Sequence, residues 1–282
     1  METFRIPAIA ALAAAFVVAS YAHPVLAQGD EASGAAGLSS YWKPVVRRWE
    51  PIVLHYAERR QMDPDLVASV IWKESRGIET AVGPTGAIGL MCVKPFPWRP
   101  SAEALRDPWT NVAAGTGTLA QIIRDGKGDV YYALAAYNGG WDKIHRPVTN
   151  RYAADVLQNY VRAVAVKRGF SVDGDWVAIL SVEGLPDHRT VTVLGPEGPV
   201  ARYTERPLAA AVPAVPVGAS PQVTVMAFAD RQGREARVNL WIVEGESALE
   251  QRSAARQLPA VSLTGRALAG DISGGGFIGL LD

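Results

Sequence analysis

Asp63-Pro64-Asp65-Leu66-Val67-Ala68-Ser69-Val70-Ile71-Trp72-Lys73-Glu74-Ser75 is the stretch on which the reading of this chain turns. Asp63 is an N-cap residue followed by proline at the first helical position, where a missing N–H costs nothing and φ is already set. Leu66, Val70 and Ile71 then recur at helical spacing and are expected to face a core. Glu74 closes the run after an apolar, aromatic-bearing turn. It precedes the glycine-rich Gly83-Pro84-Thr85-Gly86-Ala87-Ile88-Gly89-Leu90-Met91. Glycines this dense allow backbone to approach backbone, or a ligand, closely. A glutamate held between such apolar walls would have its charged form desolvated and its pKa raised, as a general acid requires; on periodicity alone a helix-terminal glutamate reads instead as a solvated surface residue.

Working outward, the same devices recur. Asp107-Pro108 opens a second helix through about Arg124, and Asp129 caps Val130 to Tyr137, which Asn138-Gly139-Gly140 stops. Arg151 to Lys167 carries Tyr152, Val156, Tyr160 and Val164 at four-residue steps and ends at Gly169. Residues 41–170 therefore read as an all-α unit of five or six helices.

Residues 171–282 change character. Trp176–Val182, Thr190–Leu194, Gln222–Met226 and Arg237–Val243 are β-rich runs separated by Gly-Pro or Asp-Arg-Gln-Gly turns. Pro207 to Pro221 is a proline-alanine stretch, an edge crossing or a linker. The expected fold class is α+β as two domains, the second a small, sandwich-like all-β unit. Upstream, Arg5 precedes an apolar run from Ile6 to Ala22, and Val25-Leu26-Ala27 offers a cut before Gln28. This reads as a signal peptide over 1–27, with an uncleaved anchor as the alternative, then a disordered leader over 28–40. Either reading puts the working part outside the cytoplasm.

Composition narrows the chemistry. The 282 residues hold 28 basic and 28 acidic side chains, so net charge gives no reason to expect a nucleic-acid partner. The zero is split between +4 for residues 28–170 and −4 for residues 171–282, counted on the sequence. The single cysteine, Cys92, excludes an intrachain disulfide. The four histidines show no metal-ligand spacing, so neither metal nor cofactor is expected.

The order of five blocks is more specific than any one of them: Gln61-Met62-Asp63-Pro64-Asp65-Leu66-Val67, Glu74-Ser75, Gly86-Ala87-Ile88-Gly89-Leu90-Met91, Asp107-Pro108-Trp109-Thr110-Asn111-Val112 and Ala135-Ala136-Tyr137-Asn138-Gly139-Gly140. Together they resemble the soluble lytic transglycosylase (SLT) domain across about residues 41–168. The resemblance implies a lysozyme-like α fold that cleaves the MurNAc–GlcNAc bond of peptidoglycan without water, the sugar's 6-hydroxyl closing a 1,6-anhydro ring. It places Glu74 as the single catalytic acid/base, Ser75 as the motif's serine, Met91 in the cleft loop, and Tyr137 and Asn138 beside the carboxyl. The expected partner is the peptidoglycan glycan strand, met by a monomer.

Two positions depart from the family pattern. Cys92 stands where a glutamine is usual, and Gly83 where the loop usually has a serine. Both removals weaken polar contacts to an acetamido sugar. They motivate one alternative, a peptidoglycan-binding protein without catalysis; a hydrolytic muramidase of related fold is the other. Asp107 reads as an N-cap and Glu79 as loop surface rather than as second carboxylates. Trp98, Trp109 and Trp141 read first as core residues, with a sugar-stacking role as the alternative.

Overall fold

A computed structural model describes residues 37–185, 190–204 and 221–244. The expected signal peptide, most of the expected leader, residues 186–189, the Pro207–Pro221 stretch up to residue 220 and everything after 244 lie outside the described residues. Among the described residues six α-helices come first: α1 (Pro44–Arg47), α2 (Glu50–Arg59), α3 (Pro64–Ser75), α4 (Pro108–Asp125), α5 (Val130–Gly139) and α6 (Pro147–Lys167). Five strands follow: β1 (Trp176–Glu183), β2 (Thr190–Gly195), β3 (Gly198–Thr204), β4 (Val223–Ala229) and β5 (Glu235–Glu244).

The caps act as the sequence predicts. Asp63 accepts from Asp65 N at 2.7 Å, Asp107 from Thr110 N at 2.7 Å and Asp129 from Tyr132 N at 3.1 Å. Each satisfies a backbone donor that the first helical turn leaves orphaned. Helix α6 starts four residues earlier than its apolar pattern indicates, at Pro147, whose missing N–H and fixed φ suit the first helical position. Its stripe of Tyr152, Val156, Tyr160 and Val164 is buried, as are Leu66, Val70 and Ile71 of α3. Helix α6 lies against both α3 and α5, which fixes the helix that carries Glu74.

The strands form one antiparallel sheet in the order β3-β2-β1-β5-β4. Among the described residues there is no second sheet facing it, and helices cover one of its faces. Trp176, Ala178, Leu180 and Val182 of β1 join Ala236, Val238, Leu240 and Ile242 of β5 in the same apolar cluster as the helices. A sequence reading cannot tell these two covers apart. Strand β3 was not expected, since Gly198-Pro199 reads as a turn. It is an edge strand, where a proline lacking its N–H is tolerated.

The sheet and helices are also joined through backbone. Asp63 N donates to Val225 O (2.8 Å) and Ala227 N to Gln61 O (2.9 Å), while Met62 bridges Met226. The loop that opens α3 thus covers the outer edge of β4, which would otherwise present unpaired groups. At the N-terminal side, Leu38 and Ser39 fall within the expected disordered leader but are buried. Ser39 N donates to the buried Asp65 carboxylate at 2.9 Å. Among the described residues no helix is long and apolar enough to cross a membrane.

Candidate active site

The site is built where α3 ends. Glu74 occupies the last turn, and Arg76 caps the helix in the left-handed region at φ 56°. Gly77 follows at φ 81°. A β-carbon there would come within 2.5 Å of the Val45 carbonyl, so only glycine fits. Trp49 Nε1 donates to Gly77 O at 2.9 Å and pins the exit. Ser75 is buried. Its hydroxyl reaches the Leu90 carbonyl at 2.8 Å and accepts from Gly77 N at 3.2 Å. The serine therefore fastens the helix end to the glycine-rich loop and presents nothing to a ligand.

That loop is held from the other side by Asn111 of α4, which is fully buried. Its amide donates to Ile88 O (2.7 Å) and Leu105 O (2.9 Å) and accepts from Met91 N (2.9 Å). Met91 lies with its side chain against Gly115, entirely inside, so it lines the core rather than the cleft. Its carbonyl takes the Tyr137 hydroxyl at 2.9 Å. Gly83 sits in a tight turn, its N–H on Ala87 O at 2.8 Å. Asn138 is exposed at the end of α5.

Glu74 is partly accessible, and the phenol next to its carboxyl is Tyr152. Tyr152 Oη donates to Glu74 Oε1 at 2.6 Å. The sequence reading places Tyr137 near this carboxyl, and the Glu74 charge does act on its phenol, but the hydrogen bond comes from Tyr152, which reads as a core residue. The periodicity of α6 does place Tyr152 inside, but nothing local shows that a helix 78 positions away brings Glu74 to its hydroxyl. Lys73 pairs with Asp155 at 2.6 Å, and its ammonium lies 6.0 Å from the Tyr152 ring.

These neighbours set the acid. Burial raises the Glu74 pKa to about 7, against the opposing pull of the Tyr152 hydrogen bond, the Cys92 thiol and the Lys73 charge. Among the described residues the groups acting on this carboxyl include no second carboxylate. Cys92 is half-buried at φ 45°, its Sγ 3.5 Å from the Glu74 carbonyl oxygen. Burial and the adjacent glutamate push its thiol far up, which disqualifies it as a nucleophile. Glu79 pairs with Arg48 on the surface, and Asp107 is spent on its cap.

The tryptophans depart from expectation. Trp98 is 78% exposed, Trp109 45% and Trp141 42%, so none of the three is a core residue.

Comparison with known proteins bears on this geometry. The chain is 34% identical over 117 residues to a transglycosylase of Enterobacteria phage PRD1, covering 39% of this chain and 42% of that protein. It is 31% identical over 90 residues to the membrane-bound lytic murein transglycosylase E of Buchnera aphidicola subsp. Acyrthosiphon pisum (strain APS), covering 28% of this chain and 41% of that one. The chain thus spans about two-fifths of the length of each relative. The solved 70 kDa soluble lytic transglycosylase of Escherichia coli aligns over 43% of this chain and 24% of its own, at 20% identity and a TM-score of 0.38. Residues 51–159, which hold Glu74, the glycine-rich loop, Asn111, Tyr137 and Tyr152, match the family model described as Transglycosylase SLT domain, and this part of the chain belongs to that family.

Proposed function

We propose that this chain is an exported peptidoglycan lytic transglycosylase in which Glu74 is the sole general acid/base. One observation carries the reading: Glu74 lies half-buried against the Tyr152 hydroxyl with a pKa raised to about 7, which lets it hold a proton near neutrality and also take one back. In the first step Glu74 gives its proton to the glycosidic oxygen as the bond from C1 of MurNAc to O4 of GlcNAc breaks. In the second, the Glu74 carboxylate takes the proton of the 6-hydroxyl as O6 bonds to C1, which closes the 1,6-anhydro ring and consumes no water.

A hydrolase with two working carboxyls needs its second group at a set distance across the bond. The Glu74 surroundings offer tyrosine, thiol and lysine instead, which supports the single-carboxyl route. The names of the relatives, a transglycosylase and a lytic murein transglycosylase, support the substrate class. The apolar run before residue 28 supports export.

Mass analysis of muropeptides released from sacculi by wild type and Glu74→Gln tests the reading. Anhydro-ended fragments are expected from the first and nearly none from the second. Reducing-end fragments would replace the transglycosylase with a hydrolytic muramidase. Binding to sacculi with no release would replace it with a non-catalytic binder.

A further inference from the structure

Between the glycine-rich loop and α4 runs Lys94-Pro95-Phe96-Pro97-Trp98-Arg99-Pro100. Each proline fixes its own φ and biases the residue before it toward extended backbone. The segment is therefore stiff before anything binds. Phe96 and Trp98 stack with ring centroids 5.1 Å apart and planes at 5°. Phe96 is 38% exposed and Trp98 78%, so the pair covers no core and the outer face of Trp98 is open. The exposed ring area is hydrophobic burial that the chain leaves unrealised. Lys94 Nζ and Arg99 Cζ lie 5.7 and 5.4 Å from the Phe96 centroid. Among the described residues neither cation has a carboxylate partner.

Its two ends tie this segment to the surroundings of the acid. Cys92, two residues before Lys94, touches the Glu74 carbonyl. The charge of Arg99 also reaches the Tyr137 phenol, which bonds the Met91 carbonyl.

We propose that Phe96 and Trp98 form a preorganised stacking platform, with Lys94 and Arg99 as its anion-binding flank, for a carboxylate-bearing pyranose of the strand held next to Glu74. The flat apolar face of a sugar ring suits an exposed indole. The cations suit a carboxylate attached to that ring, whether the lactyl carboxylate of a bare MurNAc or one on its stem peptide. A rigid platform loses little entropy on binding. The proposal rests on the reading of the chain as a peptidoglycan enzyme and adds to it a subsite outside the five sequence blocks.

The test measures affinity in the full chain carrying Glu74→Gln, which binds without cutting. The probes are chitohexaose, glycan strands stripped of stem peptides, and strands that keep them. Trp98→Ala is expected to weaken all three by about tenfold. Lys94→Gln with Arg99→Gln should weaken only the carboxylate-bearing strands, severalfold at low salt and less at high salt. Loss on stripped strands assigns the flank to the lactyl carboxylate; loss only on peptide-bearing strands assigns it to the stem. Unchanged affinity for every probe in Trp98→Ala, with an unaltered melting temperature, would overturn the proposal, and Phe96→Leu provides a second variant. In the otherwise native chain, Trp98→Ala should raise KM with little change in kcat. A wild type that binds through Trp98 but releases no anhydro fragments sinks the catalytic reading and leaves the platform standing. One that cuts normally, with variants at wild-type KM, does the reverse.

Discussion

The hydroxyl of Tyr152, in the second turn of α6, donates to Glu74 Oε1 in the last turn of α3 across 2.6 Å. Two opposing effects meet at that contact. Burial disfavours the carboxylate, and the phenol's hydrogen bond favours it. Their balance leaves a group able to donate and accept near neutral pH.

Replacing Tyr152 with Phe keeps the packing and removes the donor. A hydrogen bond to a charged group is worth about 1.5–3 kcal/mol, so the Glu74 pKa should rise by at least about one unit. The alkaline limb of kcat/KM, where activity is lost as the acid deprotonates, should move up in pH by that amount. A limb that stays or moves down would contradict the assignment.

The same acid costs stability, with a definite sign. Burial raises the pKa of Glu74 in the folded chain to about 7, from an ordinary value of 4.5. Between these values the folded state holds a proton that the unfolded state has lost, so stability falls as pH rises through that window. The gap, 7 − 4.5 = 2.5 units, is an upper bound of about 3 kcal/mol, because the side chain is partly accessible. Glu74→Gln should therefore be more stable than wild type at pH 8, by roughly 1–3 kcal/mol, and equal to it at pH 4. Asp63, raised to about 7 chiefly by burial, adds the same trend to both proteins and cancels in the difference. Urea denaturation at the two pH values checks it.

Cys92 should be slow with thiol reagents. Burial first, then Glu74, keep the thiol protonated, and only the thiolate reacts. At pH 8 its reaction with a disulfide reagent should be at least about tenfold slower in the native chain than in denaturant. Comparable rates would show that the thiol is open to solvent.

Two glycines of one loop should respond differently to alanine. Gly86 and Gly89 share φ 78°, a region costing alanine about 1–2 kcal/mol. At Gly86 nothing lies within 4 Å of the new β-carbon, so Gly86→Ala should cost only that amount. At Gly89 it would meet Asn111 Nδ2 at 2.2 Å and disturb the amide that clamps the loop. Gly89→Ala should cost about 3 kcal/mol or more. Equal losses in chemical denaturation would refute the clamp.

What the sequence makes legible here is local. Asp63, Asp107 and Asp129 declare their helices because a cap and its target lie two or three residues apart. Glu74 is legible through its motif. Ser75 and Met91 are legible as positions but not as roles, since a residue type does not say whether its side chain or its backbone is used. Tyr152 escapes because its partner is distant along the chain. Trp98 is misread because aromatic residues in a helical unit are ordinarily interior. The cover of the sheet escapes for the same reason as Tyr152. A strand's alternation shows that one face is apolar, not what lies on it.

The backbone seam between Gln61–Asp63 and β4 means that composition and architecture divide this chain at different places. Amino-acid usage changes near residue 170. Yet a truncation there would strip two hydrogen-bond partners from the segment that launches the acid-bearing helix, and would lay bare apolar flanks of α5 and α6. An engineer seeking a minimal fragment, or a shuffle of the helical half onto another tail, has to carry the sheet along.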